Sequence, residues 1–303
     1  MNRKNFMTTM AAASGMTVLA GGRAPKPQFN ISLAHWSIRN LHWGKEAGAE
    51  MLDPLDFASY AKNTCGIGGI EYVNSFYFGK AGDEAYFQEL KKRADSEGVT
   101  SLLIMCDGCG RVGDPKEAVR IETVEKHKPW LAAAAQLGCH SIRVNAGSAG
   151  SFEEQQKLAA DGLTKLAEAA KPYDLNVIVE NHGGLSSNGA WLAGVMELVD
   201  LPTVGPLPDF GNFRSSNEPE TWYDRYKGTK ELMPYAKAVS AKTHDFDEDR
   251  PLITVDTRTK KETNYEKMMQ IVAESEYKGW IGIEYEGSVL DEMAGIKASK
   301  VLL

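Results

Sequence analysis

Four segments of the chain close on side chains that titrate or bind metal. VIVENHGG carries Glu180 and His182, LPDFGNF carries Asp209, AKTHDF carries Lys242 and His244, and IGIEYEG carries Glu284 and Glu286. Each closes a short apolar run of strand character. Side chains alternate along a strand, so Glu180 and His182 share a face, as do Ser240, Lys242 and His244, and Gly282, Glu284 and Glu286. Carboxylates gathered in one place repel, and their pKa values rise unless a cation joins them. Glu180, Asp209, His244 and Glu284 make an oxygen-rich set with one imidazole. That set suits one divalent ion such as Mn²⁺, Mg²⁺, Co²⁺ or Zn²⁺. Beside such an ion, Glu180 and Glu284 are placed for acid–base chemistry.

The elements that must position these groups are legible as an alternation. Eight β-rich runs, from FNISLAHW through GIEYVNSF, TSLLIMCD, HSIRVNAG, NVIVENHG, VGPLPDF and AVSAKTHDF to GWIGIEYEG, are bounded by Gly, Pro, Asp or Asn. Amphipathic stretches lie between them. DEAYFQELKKRADSEG opens acidic and ends basic, as the helix dipole favours. Ser151 with Glu154 reads as a capping box, and Pro129 is expected to kink or interrupt its helix. The stretch from Arg214 to Tyr235 has room for an insertion. Such alternation implies a parallel sheet with helices outside it, and eight strands favour a single (β/α)8 TIM barrel over residues 28–303. No G-x-G-x-x-G follows the first strand, which weakens a dinucleotide-binding alternative. Active sites of such barrels lie at the C-terminal strand ends, where all four segments fall.

Other groups should reach the same mouth. Arg143 and Asn145 end the fourth strand and could hold hydroxyls. His35 and Trp36 end the first and could supply a polar contact and an apolar wall. Lys242 could pair with a carboxylate or, in a second reading, act as a Schiff-base nucleophile. Trp280 and Tyr285 read as packing, and Glu71 and Asp107 as structural.

The rest of the sequence sets bounds. The 303 residues give ample length for one large core, and a net charge of −7 argues against nucleic acid as a partner. Residues 1–24 run from a basic start through an Ala-rich stretch to small residues, the order of an export signal. Arg3 and Lys4 resemble a twin-arginine motif, so a periplasmic protein with no membrane anchor in its mature form is expected. Cys106 and Cys109 have C-x-x-C spacing without a second pair to complete a structural zinc site. A local disulfide or two free thiols are the alternatives; Cys65 and Cys139 read as core.

VIVENHGG, LPDFGNF, AKTHDF and IGIEYEG also resemble the motifs of the xylose isomerase-like barrels, the sugar phosphate isomerases/epimerases that include ketose 3-epimerases and inosose dehydratases. The likeness covers nearly everything after residue 24. It implies that Glu180, Asp209, His244 and Glu284 stand where that family places its Glu, Asp, His and Glu metal ligands. The strand-seven ligand could align with Ser240 instead, with His182 as the nitrogen ligand. Asn212 stands where the ketose epimerases usually carry a histidine. The resemblance implies a sugar or ketosugar substrate and an isomerase or epimerase, with a dehydratase or lyase as runner-up and a non-catalytic sugar-binding protein as a further alternative. His182, Lys242, Arg143, Asn145, Asn212, Trp36 and His35 are then the candidate substrate contacts. A homo-oligomer is compatible with the sequence.

Overall fold

A computed structural model describes residues 29–45, 48 and 50–303. The proposed export signal, 1–24, lies outside the described residues. The first six expected runs form strands β1 (Asn30–Ala34), β2 (Gly69–Val73), β3 (Thr100–Met105), β4 (Ser141–Asn145), β5 (Asn176–Glu180) and β6 (Val204–Leu207). An antiparallel pair follows, β7 (Arg214–Asn217) with β8 (Glu220–Trp222). Strand β9 (Val239–Thr243) returns to the main sheet. A three-stranded antiparallel sheet comes next: β10 (Asp245–Phe246), β11 (Ile253–Asp256) and β12 (Lys261–Asn264). Strand β13 (Trp280–Tyr285) is the last.

The eight main strands pair in parallel in the order β6-β5-β4-β3-β2-β1-β13-β9. Closure falls between β6 and β9, where Asp209 bridges Ser240. The ladder is thin there for a reason written in the sequence. Ser240 N–H donates to the Pro208 carbonyl at 2.9 Å, Lys237 N–H to the Pro206 carbonyl at 3.0 Å, and Phe210 N–H to the Ser240 carbonyl at 3.1 Å. Even-numbered residues of this segment therefore face β9. Two of them are prolines with no N–H to give.

Among the described residues, seven α-helices of eight or more residues cover the outside: α1 (Glu84–Ser96), α2 (Glu117–Leu137), α3 (Phe152–Ala170), α4 (Gly189–Val199), α5 (Arg225–Leu232), α6 (Tyr265–Glu274) and α7 (Glu292–Val301). The capping box at Ser151 and Glu154 starts α3. Helix α2 runs on through Pro129 and is not interrupted. A proline costs one backbone bond and a local clash, roughly 3 kcal/mol. The buried Val124, Trp130, Leu131 and Ala134 pack that helix firmly enough to carry it.

Strand alternation explains what the barrel places where. Outward residues such as Leu33, Ile70, Ile142, Val177 and Val179 join the helices in the main apolar core. Inward residues are unusually polar: Ser32, Glu71, Arg143, Glu180, Ser240, Lys242 and Glu284 are all buried. A buried polar group needs a partner or a ligand. The four cysteines are buried free thiols.

Candidate metal and acid–base centre

Glu180 closes β5, Asp209 follows β6, and Glu284 lies near the end of β13. One carboxylate oxygen from each lies within 4.8 Å of the other two, and all three residues are buried. The register makes this unavoidable: Ser240 pairs with Gly282 and Lys242 with Glu284 across β9 and β13, while Asp209 bridges Ser240.

Each carboxylate is held by named donors. Asn212 Nδ2 donates to Glu180 Oε1 at 2.8 Å. Arg143 Nε stands 2.8 Å from Glu180 Oε2, an ion pair whose angle is too poor for a hydrogen bond, so neither atom has a hydrogen-bond partner. The backbone N–H groups of Gly211 and Asn212 donate to Asp209 Oδ1 at 2.7 and 2.8 Å. Ser240 Oγ bridges Asp209 Oδ2 at 2.9 Å and Glu284 Oε2 at 3.2 Å. Asn181 faces away from the carboxylates. Its amide accepts from Asp209 N–H at 2.7 Å and donates to the Asp209 and Asn212 carbonyls at 3.0 Å each, clamping β5 to the loop after β6.

Lys242 stands among the acids. Its Nζ is 3.0 Å from Glu284 Oε1, 2.9 Å from Glu286 Oε1, 3.5 Å from Asp209 Oδ2 and 3.9 Å from Glu180 Oε1. Burial alone would lower its pKa, but Asp209, Glu284, Glu286 and Glu180 hold it well above the usual lysine value. An ammonium has no lone pair, which counts against the Schiff-base reading. The acids respond unequally. Burial works to raise Glu180, yet Arg143, His182 and Lys242 outweigh it and keep it below the usual carboxylate value. Burial pushes Glu284 up to about 8, with Lys242 opposing and Glu180 and Asp209 adding to the rise.

Several sequence expectations are corrected here. His244 was grouped with the carboxylates, but it stands apart from them. Strand β9 ends at Thr243, and the chain turns into β10, so the period-two direction no longer applies at residue 244. The His244 Nε2 lies 3.8 Å from Asp256 Oδ2 instead. His182 is exposed and lines the mouth, outside the group of three. His35 is fully buried: it stacks on Phe57 at 3.9 Å and meets His42 Nε2 to Nε2 at 2.5 Å, so it presents no edge to a substrate. Trp36 is half-buried against Trp43 and Phe76. Arg143 is committed to Glu180 and to Asp107 at 2.8 Å rather than free to bind hydroxyls. Asn145 donates to Asp107 at 3.1 Å, and its own Oδ1 is buried without a partner. Asp107, set aside as structural, thus anchors two residues of the mouth.

A cavity of about 320 Å³ opens above, lined by His182, Asn212, Arg214, Trp222, Lys242 and Glu286 among others. Arg214 and Trp222 come from the β7–β8 pair, with Arg214 over the Trp222 ring at 6.0 Å. Glu180, Asp209 and Glu284 do not line this cavity; Gly211, Asn212 and Lys242, which contact them, do.

The donor set fits a divalent ion. Three carboxylates converge, the Ser240 hydroxyl adds a fourth oxygen, and Glu180 Oε2 is buried with an unused lone pair. Burial lifts Glu284 first and the neighbouring Glu180 and Asp209 add to the rise; a cation would relieve that added repulsion. All donors are oxygens, which favours Mg²⁺ or Mn²⁺ over softer ions.

Deeper in the barrel, Glu71 accepts from Ser32 Oγ at 2.6 Å, while its Oε2 has no partner. Burial pushes Glu71 up to about 7, against the Ser32 hydroxyl, with Glu180 adding to the rise. The folded chain holds this proton more tightly than the unfolded chain does. Stability is therefore lost as pH rises from the ordinary 4.5 toward about 7, by roughly 3 kcal/mol in total. Glu71→Gln should match wild type in denaturant titrations near pH 4.5 and exceed it by about 3 kcal/mol at pH 8. Equal stability at both values would refute this.

Residues 60–301 match the family model described as xylose isomerase-like TIM barrel. No curated protein matches the chain by sequence. Among solved structures, the E. coli 3-keto-D-glucoside 4-epimerase YcjR is 17% identical, with a TM-score of 0.63 over 91% of this chain and 99% of that one. The IolI protein, solved with a zinc atom, is 13% identical, with a TM-score of 0.68 over 90% and 96%. The probable 3-DHS dehydratase AsbF of Bacillus anthracis is 16% identical, with a TM-score of 0.64 over 90% and 98%. At these identities the likeness is one of fold. With eight parallel strands, a closing bridge and a family match spanning most of its length, this chain belongs to the xylose isomerase-like TIM barrel family.

Proposed function

We propose that this protein is a divalent-metal-dependent isomerase or epimerase that moves a proton at the carbon beside a carbonyl of a sugar or ketosugar. One observation carries the reading: three buried carboxylates from β5, β13 and the loop after β6, their oxygens within 4.8 Å of one another. A bound Mg²⁺ or Mn²⁺ would supply Lewis-acid polarisation of the substrate carbonyl. The chain's own residues do the rest. Glu180, kept ionised by Arg143, takes the proton from carbon, and the electron pair moves onto the carbonyl oxygen. Glu284, on a strand from the other side of the seam, returns a proton to the opposite face. Asn212 fixes Glu180, and Asp209 is held too firmly by Gly211, Asn212 and Ser240 to turn, so it serves as a ligand. Glu286, His182 and Trp222 border the space for the sugar. The fold shared with a 3-keto-D-glucoside 4-epimerase supports this class. The basic-then-apolar start of the chain supports export to the periplasm.

The test is solvent exchange. Protein loaded with Mg²⁺ or Mn²⁺ is incubated in D₂O with a panel of ketosugars and keto-glycosides, and products are followed by NMR. Deuterium is expected at the carbon beside the carbonyl, with epimer appearing at a comparable rate. Deuterium with an unsaturated product would instead identify a dehydratase. No exchange in any panel member would end the proposal.

A further inference from the structure

We propose that Lys242 is a built-in occupant of the cation seat, and that it must withdraw toward Glu286 before a divalent ion can bind. This rests on the metal-dependent reading above. Two observations and one steric argument carry it. The Lys242 Nζ is within 3.0–3.9 Å of all three carboxylates, so its positive charge already stands among the oxygens a metal would take. An ion bonded to those oxygens at about 2.1 Å leaves no room for an ammonium among them, and two cations there repel. The cavity wall includes Lys242 and Glu286, with Gly211 and Asn212, but none of the three carboxylates, so the lysine is one of the groups that stand between them and the mouth.

The chain also provides for the withdrawal. Lys242 Nζ already stands 2.9 Å from Glu286 Oε1, which borders the cavity, so the ammonium keeps an ion-pair partner as it leaves the other three. The second Glu286 oxygen lies 3.8 Å from Arg258, which holds the acid in place from outside. Gly211 leaves the lysine stem its track: a Cβ there would come within 3.1 Å of Lys242 Cδ. Displaced to Glu286, the ammonium faces the cavity and becomes a donor to a substrate oxygen. The glutamates and Asp209 are therefore balanced by Lys242 without metal and by the ion with it. Metal affinity is reduced by the lysine's competition.

Titration calorimetry with Mg²⁺ and Mn²⁺ on chelator-treated protein tests this with two variants of opposite sign. Lys242→Met removes the competitor and is expected to bind at least about tenfold more tightly than wild type. Its melting temperature without metal should fall below wild type and recover when metal is added. Glu286→Gln removes the withdrawn position and is expected to weaken binding several-fold. If wild type binds metal and Lys242→Met binds equally or more weakly, Lys242 is no competitor: the proposal is overturned and the metal reading stands. If neither protein binds, both fall. Should Lys242→Met fail to fold, Glu286→Gln decides alone, and wild-type affinity there would overturn the proposal.

Discussion

Glu180→Gln is expected to slow deuterium exchange into substrate by about 10²–10⁴-fold, the range for loss of one positioned acid or base. Glutamine keeps the shape and the bond from Asn212 Nδ2 but cannot take a proton. Glu284→Gln should cost a similar factor in epimer formation. The two differ in what survives. With Glu284 replaced, Glu180 can still remove and return the proton on one face, so deuterium should enter without inversion. With Glu180 replaced, exchange at that face is lost. Exchange rates for both epimers, measured in parallel, separate these outcomes. Equal retention of exchange and inversion in both variants would remove them from the chemistry.

The second large effect is on stability. Arg143 is buried between Glu180 at 2.8 Å and Asp107 at 2.8 Å. Removing one partner of a buried ion pair leaves an uncompensated charge and typically costs 3–5 kcal/mol. Arg143→Met should therefore lower the unfolding free energy by about that amount. Asp107 is half-exposed and solvated, so most of the loss arises at Glu180. Adding Glu180→Gln to Arg143→Met should then recover much of it. Denaturant unfolding of the two single variants and the double closes the cycle. Additive losses would show that Arg143 and Glu180 are energetically independent, against the geometry.

The barrel was legible because its signal is repetitive. Each parallel strand is buried on the outer side by a helix, so NVIVE, TSLLIM and WIGIEY stand out from the polar stretches between them. The three carboxylates were legible because they fall at or just after the ends of strands that a barrel makes neighbours, so several ligand-type side chains meet at one mouth. What was missed lies where period-two logic stops. His35 and His244 each follow the last residue of a strand, in a turn whose side-chain directions the strand does not dictate. The β10–β12 sheet is built from short polar segments such as KETN with no apolar rhythm to reveal them. Lys242 was seen as a neighbour of the acids. Its place at their centre depends on the closing register between β6, β9 and β13, which local sequence does not encode. Asp107 was undervalued for the same reason, since its partners Arg143 and Asn145 come from the next strand.

The central claim is that Glu180, Asp209 and Glu284 share one cation. Crystals equilibrated with Mn²⁺ and measured at the manganese absorption edge test it most directly. The predicted result is a single anomalous peak at bonding distance from an oxygen of each carboxylate, with Lys242 Nζ drawn away toward Glu286. Absence of a peak there, with Lys242 still seated among the three acids at saturating Mn²⁺, would contradict it.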